Sequence, residues 1–146
     1  MGIEAEILES SRVVAIVGLS ADPERPSHRV ASYLKQHGYR IIPVNPTLKE
    51  VLLETSFPSL AGISEPVDVV DIFRRSEDVM PIVEEAIKIG AKVVWMQEGI
   101  INREAAAKAE KAGLKVVMDK CMRKELMKIK EESSVWEDWK RISQVE

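Results

Sequence analysis

The sequence predicts an α/β protein: a five-stranded parallel sheet, doubly wound, with helices on both faces and a helical tail at the C-terminus. Three observations carry this. Val- and Ile-rich runs of strand length recur at residues 13–18, 40–45, 67–73, 92–96 and 115–119. Most are apolar almost throughout, as strands buried on both faces are, whereas a strand with one wet face alternates. Between them lie segments with apolar residues at helical spacing. Finally, a helix–Gly–x–(Lys/Arg)–apolar unit is used three times, in HGYRIIPV, IGAKVVWM and AGLKVVMD. Strands alternating with helices imply parallel pairing through right-handed crossovers, and the expected strand order is 3-2-1-4-5.

Each element has its own justification. The first strand, VVAIVG, ends on Gly18, and a loop of Ser, Pro and charged residues follows before a helix opening at about His28. That helix carries Val30, Tyr33, Leu34 and His37 on one stripe and stops at Gly38, since the residue after a helix C-cap often takes a left-handed backbone that glycine adopts freely. The second strand, RIIPVN, leads into a long connection over residues 46–62, in which VLLE reads as a short helix. VDVVDIF is the exception among the strands, because Asp68 and Asp71 interrupt it. Val79, Ile82, Val83, Ala86 and Ile87 mark the next helix, and NREAAAKAEKA is rich in alanine, the best helix former. After Asp119 the alternation stops. Residues 121–129 read as helical, and Ser134 with Glu137 matches a capping box ahead of a face bearing Trp136, Trp139 and Ile142. We therefore expect one domain over residues 1–130 and a helical tail over 131–146. The tryptophan face either docks on the body or meets a partner: a second copy or another subunit.

Composition bounds the function. The chain has 146 residues, 45% hydrophobic and 31% charged, with a net charge of −3. This suits one globular domain and argues against a dedicated nucleic-acid binder, which usually carries a strong positive field. The single cysteine, Cys121, allows no internal disulfide framework. No run approaches a membrane span, and the N-terminus, MGIEAEILES, is acidic where a signal peptide is basic. The expectation is a cytoplasmic protein that meets neither membrane nor nucleic acid. Scarce Asn and Gln beside plentiful Lys and Glu lean towards a thermophile's composition.

In an open parallel sheet, ligands bind outside the carboxyl ends of the strands. That rule selects the loops beginning at Gly18, Asn45, Phe73, Gln97 and Asp119. The first offers a strand-end glycine, the hydroxyls of Ser20 and Ser27, the charge of Arg25 and a helix N-terminus, a combination that favours a phosphate. On the bland reading, Ser27 is only an N-cap and Pro23 and Pro26 only stiffen the loop. A dinucleotide fingerprint is absent, since Ser20 and Pro23 stand where glycines are needed and the second strand ends in Val44-Asn45-Pro46 without the acidic residue that holds a ribose. Asn45-Pro46 makes a rigid ledge suited to a purine face, with Lys49 within reach of a phosphate. Phe73-Arg74-Arg75-Ser76 forms a second phosphate-friendly helix start, one of its arginines being expected to be merely solvated. Gln97 is placed to hydrogen-bond a ligand amide.

The blocks Gly18-x-Ser20-x-x-Pro23-x-Arg25-Pro26-Ser27-x-x-Val30, Pro43-Val44-Asn45-Pro46, Val70-Asp71-Ile72-Phe73-Arg74, Trp95-Met96-Gln97 and Asp119-x-Cys121 resemble the stand-alone CoA-binding proteins of the YccU-like group. That family is similar in fold to the CoA-binding domain of the succinyl-CoA synthetase α subunit. The resemblance runs from about Val13 to Leu126. It implies a Rossmann-like domain with coenzyme A, free or acylated, lying across the carboxyl edge of the sheet. It further implies that the loop of Gly18, Ser20, Arg25 and Ser27 holds the pyrophosphate. Asn45, Pro46 and Lys49 then lie by the adenosine, Phe73, Arg74 and Ser76 line the middle, and Gln97 lies towards the pantetheine. Two departures stand out. Met122-Arg123-Lys124 replaces a proline common in relatives, and the tryptophan-bearing tail lies outside the pattern.

No catalytic machinery is evident. One Cys and two His fit no metal-ligand spacing. His37 closes a helix, His28 has no Asp or Ser partner in sequence, and the chain has no room for the phosphorylatable-histidine domain that autonomous ligation requires. Asp119 reads as a helix cap or a ligand-facing group. Cys121, beside Lys120, Arg123 and Lys124, reads either as a small buried hydrophobe or as a thiol able to exchange with CoA. The expectation is a CoA-binding module. Its alternatives are an NAD(P)-binding oxidoreductase, a CoA-binding subunit of an acyl-CoA ligase completed by a partner, or an interaction protein working through its tail.

Overall fold

The computed structural model describes residues 2–131. The expected tail face of Trp136, Trp139 and Ile142 lies outside the described residues. Within them the chain runs α1 (Ile3–Ser10), β1 (Val13–Val17), α2 (Pro26–Gln36), β2 (Arg40–Val44), β3 (Glu50–Val51), β4 (Glu54–Thr55), β5 (Val69–Ile72), α3 (Val79–Lys88), β6 (Val93–Met96), α4 (Arg103–Lys111) and β7 (Lys115–Val117). Residues 122–131 are helical and are called α5.

The main sheet is five-stranded and parallel, as expected. Helices α3 and α4 cover one face, where Val83, Ala86, Ala105 and Ala109 pack on Ala15, Val70 and Val94. On the other face, Leu8, Val30, Leu34, Met122 and Leu126 from α1, α2 and α5 pack on Val14, Ile16, Val69 and Trp95. The thrice-used glycine unit is a Schellman motif each time. After α2, Gly38 N–H donates to Lys35 O and Tyr39 N–H to Leu34 O, and the same pair of bonds recurs at Gly90 with Ala91 and at Gly113 with Leu114. Each of these glycines has a φ between 75° and 95°, the left-handed backbone the motif requires. The residue that then donates backwards already belongs to the turn into the next strand.

The strand order differs from the expected 3-2-1-4-5. The sheet runs β2-β1-β5-β6-β7, which in the count of the five expected strands is 2-1-3-4-5. Pro43 gives the reason. Its carbonyl accepts from Phe57 N–H on the side away from β1, so its missing N–H also faces outward. A proline is tolerated there because β2 is an edge strand, whereas an interior strand would lose a ladder bond. Asp68 settles the neighbour: its Oδ2 accepts from the backbone N–H groups of Arg12 and Val13, each at 2.9 Å, and latches β5 against the start of β1.

Two local expectations also change. VLLE is no helix but the turn of the β3–β4 hairpin. Four residues cannot repay helix nucleation, and the core takes Val51 while Leu52 and Leu53 make the turn with φ of 53° and 63°. Residues 3–10 form a helix the strand-and-helix pattern does not announce. Its signal is short, two acidic residues in the first turn and the pair Ile7 and Leu8, which become almost fully buried.

Candidate functional site at the carboxyl edge

With the observed order, the chain reverses direction across the sheet between β1 and β5, and the crevice of a doubly wound fold opens there. Gly18 sits at that point. Its φ is +89°, and a Cβ on it would lie 2.4 Å from Phe73 O. The glycine therefore lets the ends of β1 and β5 close on each other. A side chain here would push apart the two strand ends that frame the cleft.

A cleft of about 560 Å³ opens above this junction. It gathers seven of the eleven expected ligand residues, Gly18, Ser20, Arg25, Ser27, Phe73, Arg74 and Gln97, together with Cys121. The phosphate-type end is built by the loop before α2. Ser20 N–H donates to Ser27 Oγ at 2.9 Å, and Asp22 N–H donates to Ser20 Oγ at 3.0 Å. These bonds fold the loop against the helix start. Helix α2 opens at Pro26, with Arg25 as its N-cap and no capping side chain. Ser27 is thus inside the first turn rather than the N-cap. Its hydroxyl is turned to the loop, and an arginine, which has no acceptor, stands where Ser or Asp would satisfy the first amides. Among the described residues neither Arg25 nor Arg74 pairs with a carboxylate, while Arg75 is held by Asp78 at 3.1 Å. That separates the two adjacent arginines: both border the cleft, but Arg75 is tied to Asp78 while Arg74 has no carboxylate partner among the described residues.

The other end is built from β6. Gln97 is 4% exposed. Its Oε1 accepts from Met122 N–H at 3.0 Å, and its Nε2 has no partner among the described residues. Trp95, fully buried, donates through Nε1 to Lys120 O at 2.8 Å. Asp119, at φ 61°, accepts from Gly99 N–H through Oδ1 at 2.7 Å, so it ties two strand-end loops together instead of facing a ligand or capping a helix.

Four expected residues stand apart from the main cleft. Pro46 lines a smaller hollow of about 190 Å³ with Pro58, Ser59 and Leu60, and Arg74 borders both hollows. Asn45 closes the loop, donating through Nδ2 to Leu19 O at 3.0 Å and accepting Thr47 N–H at 2.9 Å. Lys49 is exposed and borders neither hollow. Ser76 accepts Ile101 N–H at 3.0 Å and opens a short 3₁₀ turn whose first residues include Glu77 and Asp78, which gives that turn an acidic start. Ile100 and Val30 are apolar walls that sequence reasoning passed over. Both lie within one helical turn or one loop of a residue it chose. The histidines stay outside: His28 borders a separate shallow groove, and His37, the C-cap of α2, stacks on Tyr33 with ring centroids 4.1 Å apart. No group of three metal-ligating side chains occurs among the described residues.

Beneath the cleft, β5 holds Asp71 fully buried, neither oxygen having a hydrogen-bond partner among the described residues. Burial pushes its carboxyl well above the ordinary value of 3.8.

Residues 12–127 match the family model described as a CoA binding domain. The chain belongs to this CoA-binding domain family. It is 43% identical over 118 residues to the Bacillus subtilis protein YneT, covering 81% of this chain and 87% of that one. A solved protein from Pyrococcus horikoshii superposes with a TM-score of 0.84 at 44% identity, covering 86% of this chain and 89% of that one. An ADP-forming acetate–CoA ligase of Archaeoglobus fulgidus is 27% identical over 121 residues, which make up 76% of this chain and only 18% of the ligase. The family's shared domain is thus found both as a small protein and as one part of a far longer chain.

Proposed function

We propose that the protein binds coenzyme A, free or acylated, across the carboxyl ends of β1, β5 and β6, and supplies no catalytic groups of its own. The observation that carries this is the cleft's polarity. At one end stand the N-terminus of α2, uncapped by any side chain, and two arginines without carboxylate partners. At the other, a buried amide shows its free Nε2 to the cleft. CoA carries about four negative charges near neutral pH at its nucleotide end and amides along its pantetheine arm, so it matches both ends. On this reading Gly18, Ser20, Arg25, Ser27 and Arg74 hold the pyrophosphate region. Pro46 and the smaller hollow receive the adenosine, Asn45 shapes the loop that carries Pro46, and Lys49, exposed beyond the hollow, reaches a phosphate from outside. Phe73 walls the middle, Ser76 props the neighbouring loop, and Gln97 meets the pantetheine. The likeness to one part of an ADP-forming ligase supports a second reading of the same site, a CoA-binding subunit whose chemistry a partner completes.

Thermal denaturation with CoA, dephospho-CoA, NAD and ADP tests the binding. A ligand at about a hundredfold its Kd adds about 2.7 kcal/mol to stability, so CoA should raise the melting temperature clearly and NAD should not. No shift at millimolar CoA overturns the reading. Arg25→Ala and Arg74→Ala should each weaken CoA about tenfold by loss of a charge-assisted contact, about 1.4 kcal/mol, while the melting temperature of the free protein stays put. Unchanged affinity in both would place the phosphates elsewhere.

A further inference from the structure

We propose that Cys121 is a thiol-exchange site at the pantetheine end of the cleft, which takes up CoA from CoA disulfide as a protein–CoA mixed disulfide. This deepens the CoA-binding reading and rests on it.

The first ground is position. Cys121 borders the same cleft as Gln97 and Arg25. It is partly exposed, while the next residue, Met122, is fully buried. The core position at this turn is therefore taken by the methionine, while the cysteine packs partly against the core and keeps part of its surface at the cleft. The second ground is fixation. The segment carrying Cys121 is gripped on both sides by buried side chains in and just after β6: Trp95 Nε1–H donates to Lys120 O at 2.8 Å, and Met122 N–H donates to Gln97 Oε1 at 3.0 Å. The Cys121 carbonyl accepts from Glu125 N–H at 3.0 Å and so starts α5. The third ground is independent of the sulfur. The Gln97 side chain that fixes Cys121 is itself 4% exposed and keeps its Nε2 donors unpartnered among the described residues. The nitrogen is open to the cleft rather than sealed in the core, so its donors are available to whatever lies there, and the carbonyls of a pantetheine arm running towards Cys121 are acceptors of the required kind.

The step balances without an added oxidant. The Cys121 thiolate attacks one sulfur of CoA disulfide, the Cys121–CoA S–S bond forms as the CoA–CoA bond breaks, and one CoA leaves as its thiolate. The proton lost by Cys121 ends on that thiolate or in solvent. One disulfide replaces another, and a free thiol such as glutathione reverses the step.

The full chain, reduced and freed of reductant, is mixed with CoA disulfide, and intact mass is followed with time. One CoA per chain should add and be released by dithiothreitol, and Cys121→Ser should gain none. Directed exchange further requires that the rate saturate with CoA disulfide, and that Arg25→Ala slow it about tenfold while leaving the rate with 2-hydroxyethyl disulfide unchanged. Equal slowing with both disulfides, or a wild-type rate no faster with CoA disulfide than with glutathione disulfide, marks a merely accessible thiol and overturns the proposal. Calorimetry of the reduced protein with CoA in the presence of reductant reads non-covalent binding separately. Binding without an adduct overturns the exchange alone; absence of both overturns the CoA reading beneath it.

Discussion

The two edges of the main sheet are built on opposite plans. At the amino edge, polar groups meet partners from the chain itself. Asp68 accepts the N–H groups of Arg12 and Val13 and lies 3.5 Å from Lys92 Nζ. Tyr39 donates to Leu8 O, and Arg40 N–H to Arg12 O. A hollow of about 670 Å³ opens at this edge too, larger than the cleft above β1 and β5, yet the bonds around it serve the fold. At the carboxyl edge donors are left over: the Ser27 N–H in the first turn of α2, the heads of Arg25 and Arg74, and the amide of Gln97. Volume alone would select the wrong edge. Unspent hydrogen-bonding capacity, set where the strand order reverses, selects the other.

The sharpest way to break this contrast is at Gly18, where the carboxyl edge rests on backbone alone. Gly18→Ala places a Cβ against Phe73 O at a φ of +89°, and the combined strain should cost about 3 kcal/mol. Chemical denaturation should show that loss, and CoA affinity should fall with it because the frame of the cleft moves. A variant as stable as the wild type would mean that β1 and β5 are free to part.

The next test sets the aspartate just before β5 against the one within it. Asp68→Asn keeps one oxygen for the two amides, both of which donate to Oδ2, but loses the negative charge that strengthens those bonds and faces Lys92, a cost of about 1–2 kcal/mol, with CoA affinity unaltered because the residue lies at the amino edge. The two carboxyls should also bend the stability profile in opposite senses. Burial works to raise the Asp68 pKa, but the amides of Val13 and Arg12 and the ammonium of Lys92 outweigh it and hold the pKa below the ordinary 3.8. Its contribution is therefore full above that value and lost as pH falls. Asp71 is raised by burial, so its share is full below about 3.8 and is lost as pH rises from there. Asp71→Asn should flatten the decline on the alkaline side, and Asp68→Asn should flatten the acid side. If the profiles of the two variants coincide, the burial of Asp71 is not what the geometry implies.

These tests mark what was legible in the residues. The parallel sheet, the helices after β1 and the three glycine turns were, because period and C-cap chemistry are local. So were Arg25, Arg74 and Gln97, since the strand-end rule needs only the ends of strands. The order of the sheet hung on Pro43, a signal present but not weighed: a proline belongs at an edge. The exits of Asn45 and Ser76 into loop-closing bonds were not legible, for each depends on a partner from another part of the chain, Leu19 and Ile101. The solitude of Asp71 is likewise a property of packing.

The smallest effect is expected at the β3–β4 turn, where the contrast between the edges can be sharpened. Leu53 is 86% exposed with a φ of 63°, and Leu52 before it is also left-handed. Two-residue hairpins of this kind normally use Asn-Gly, since a left-handed backbone costs a side-chain-bearing residue about 1–2 kcal/mol. Lys35 steadies the turn by donating to Leu52 O and pairing with Glu54 at 2.8 Å. Leu53→Gly removes the strain at one residue but adds chain entropy to the unfolded state, so a net gain of about 0.5–1 kcal/mol is expected in denaturant titration. The hairpin hangs from the carboxyl end of β2, on the adenosine side of the proposed ligand, yet Leu53 borders neither hollow. CoA affinity should therefore stay constant as stability rises. A loss of affinity in Leu53→Gly would show that the hairpin tip reaches the ligand, and would extend the unspent carboxyl edge beyond β1, β5 and β6 to the margin of β2.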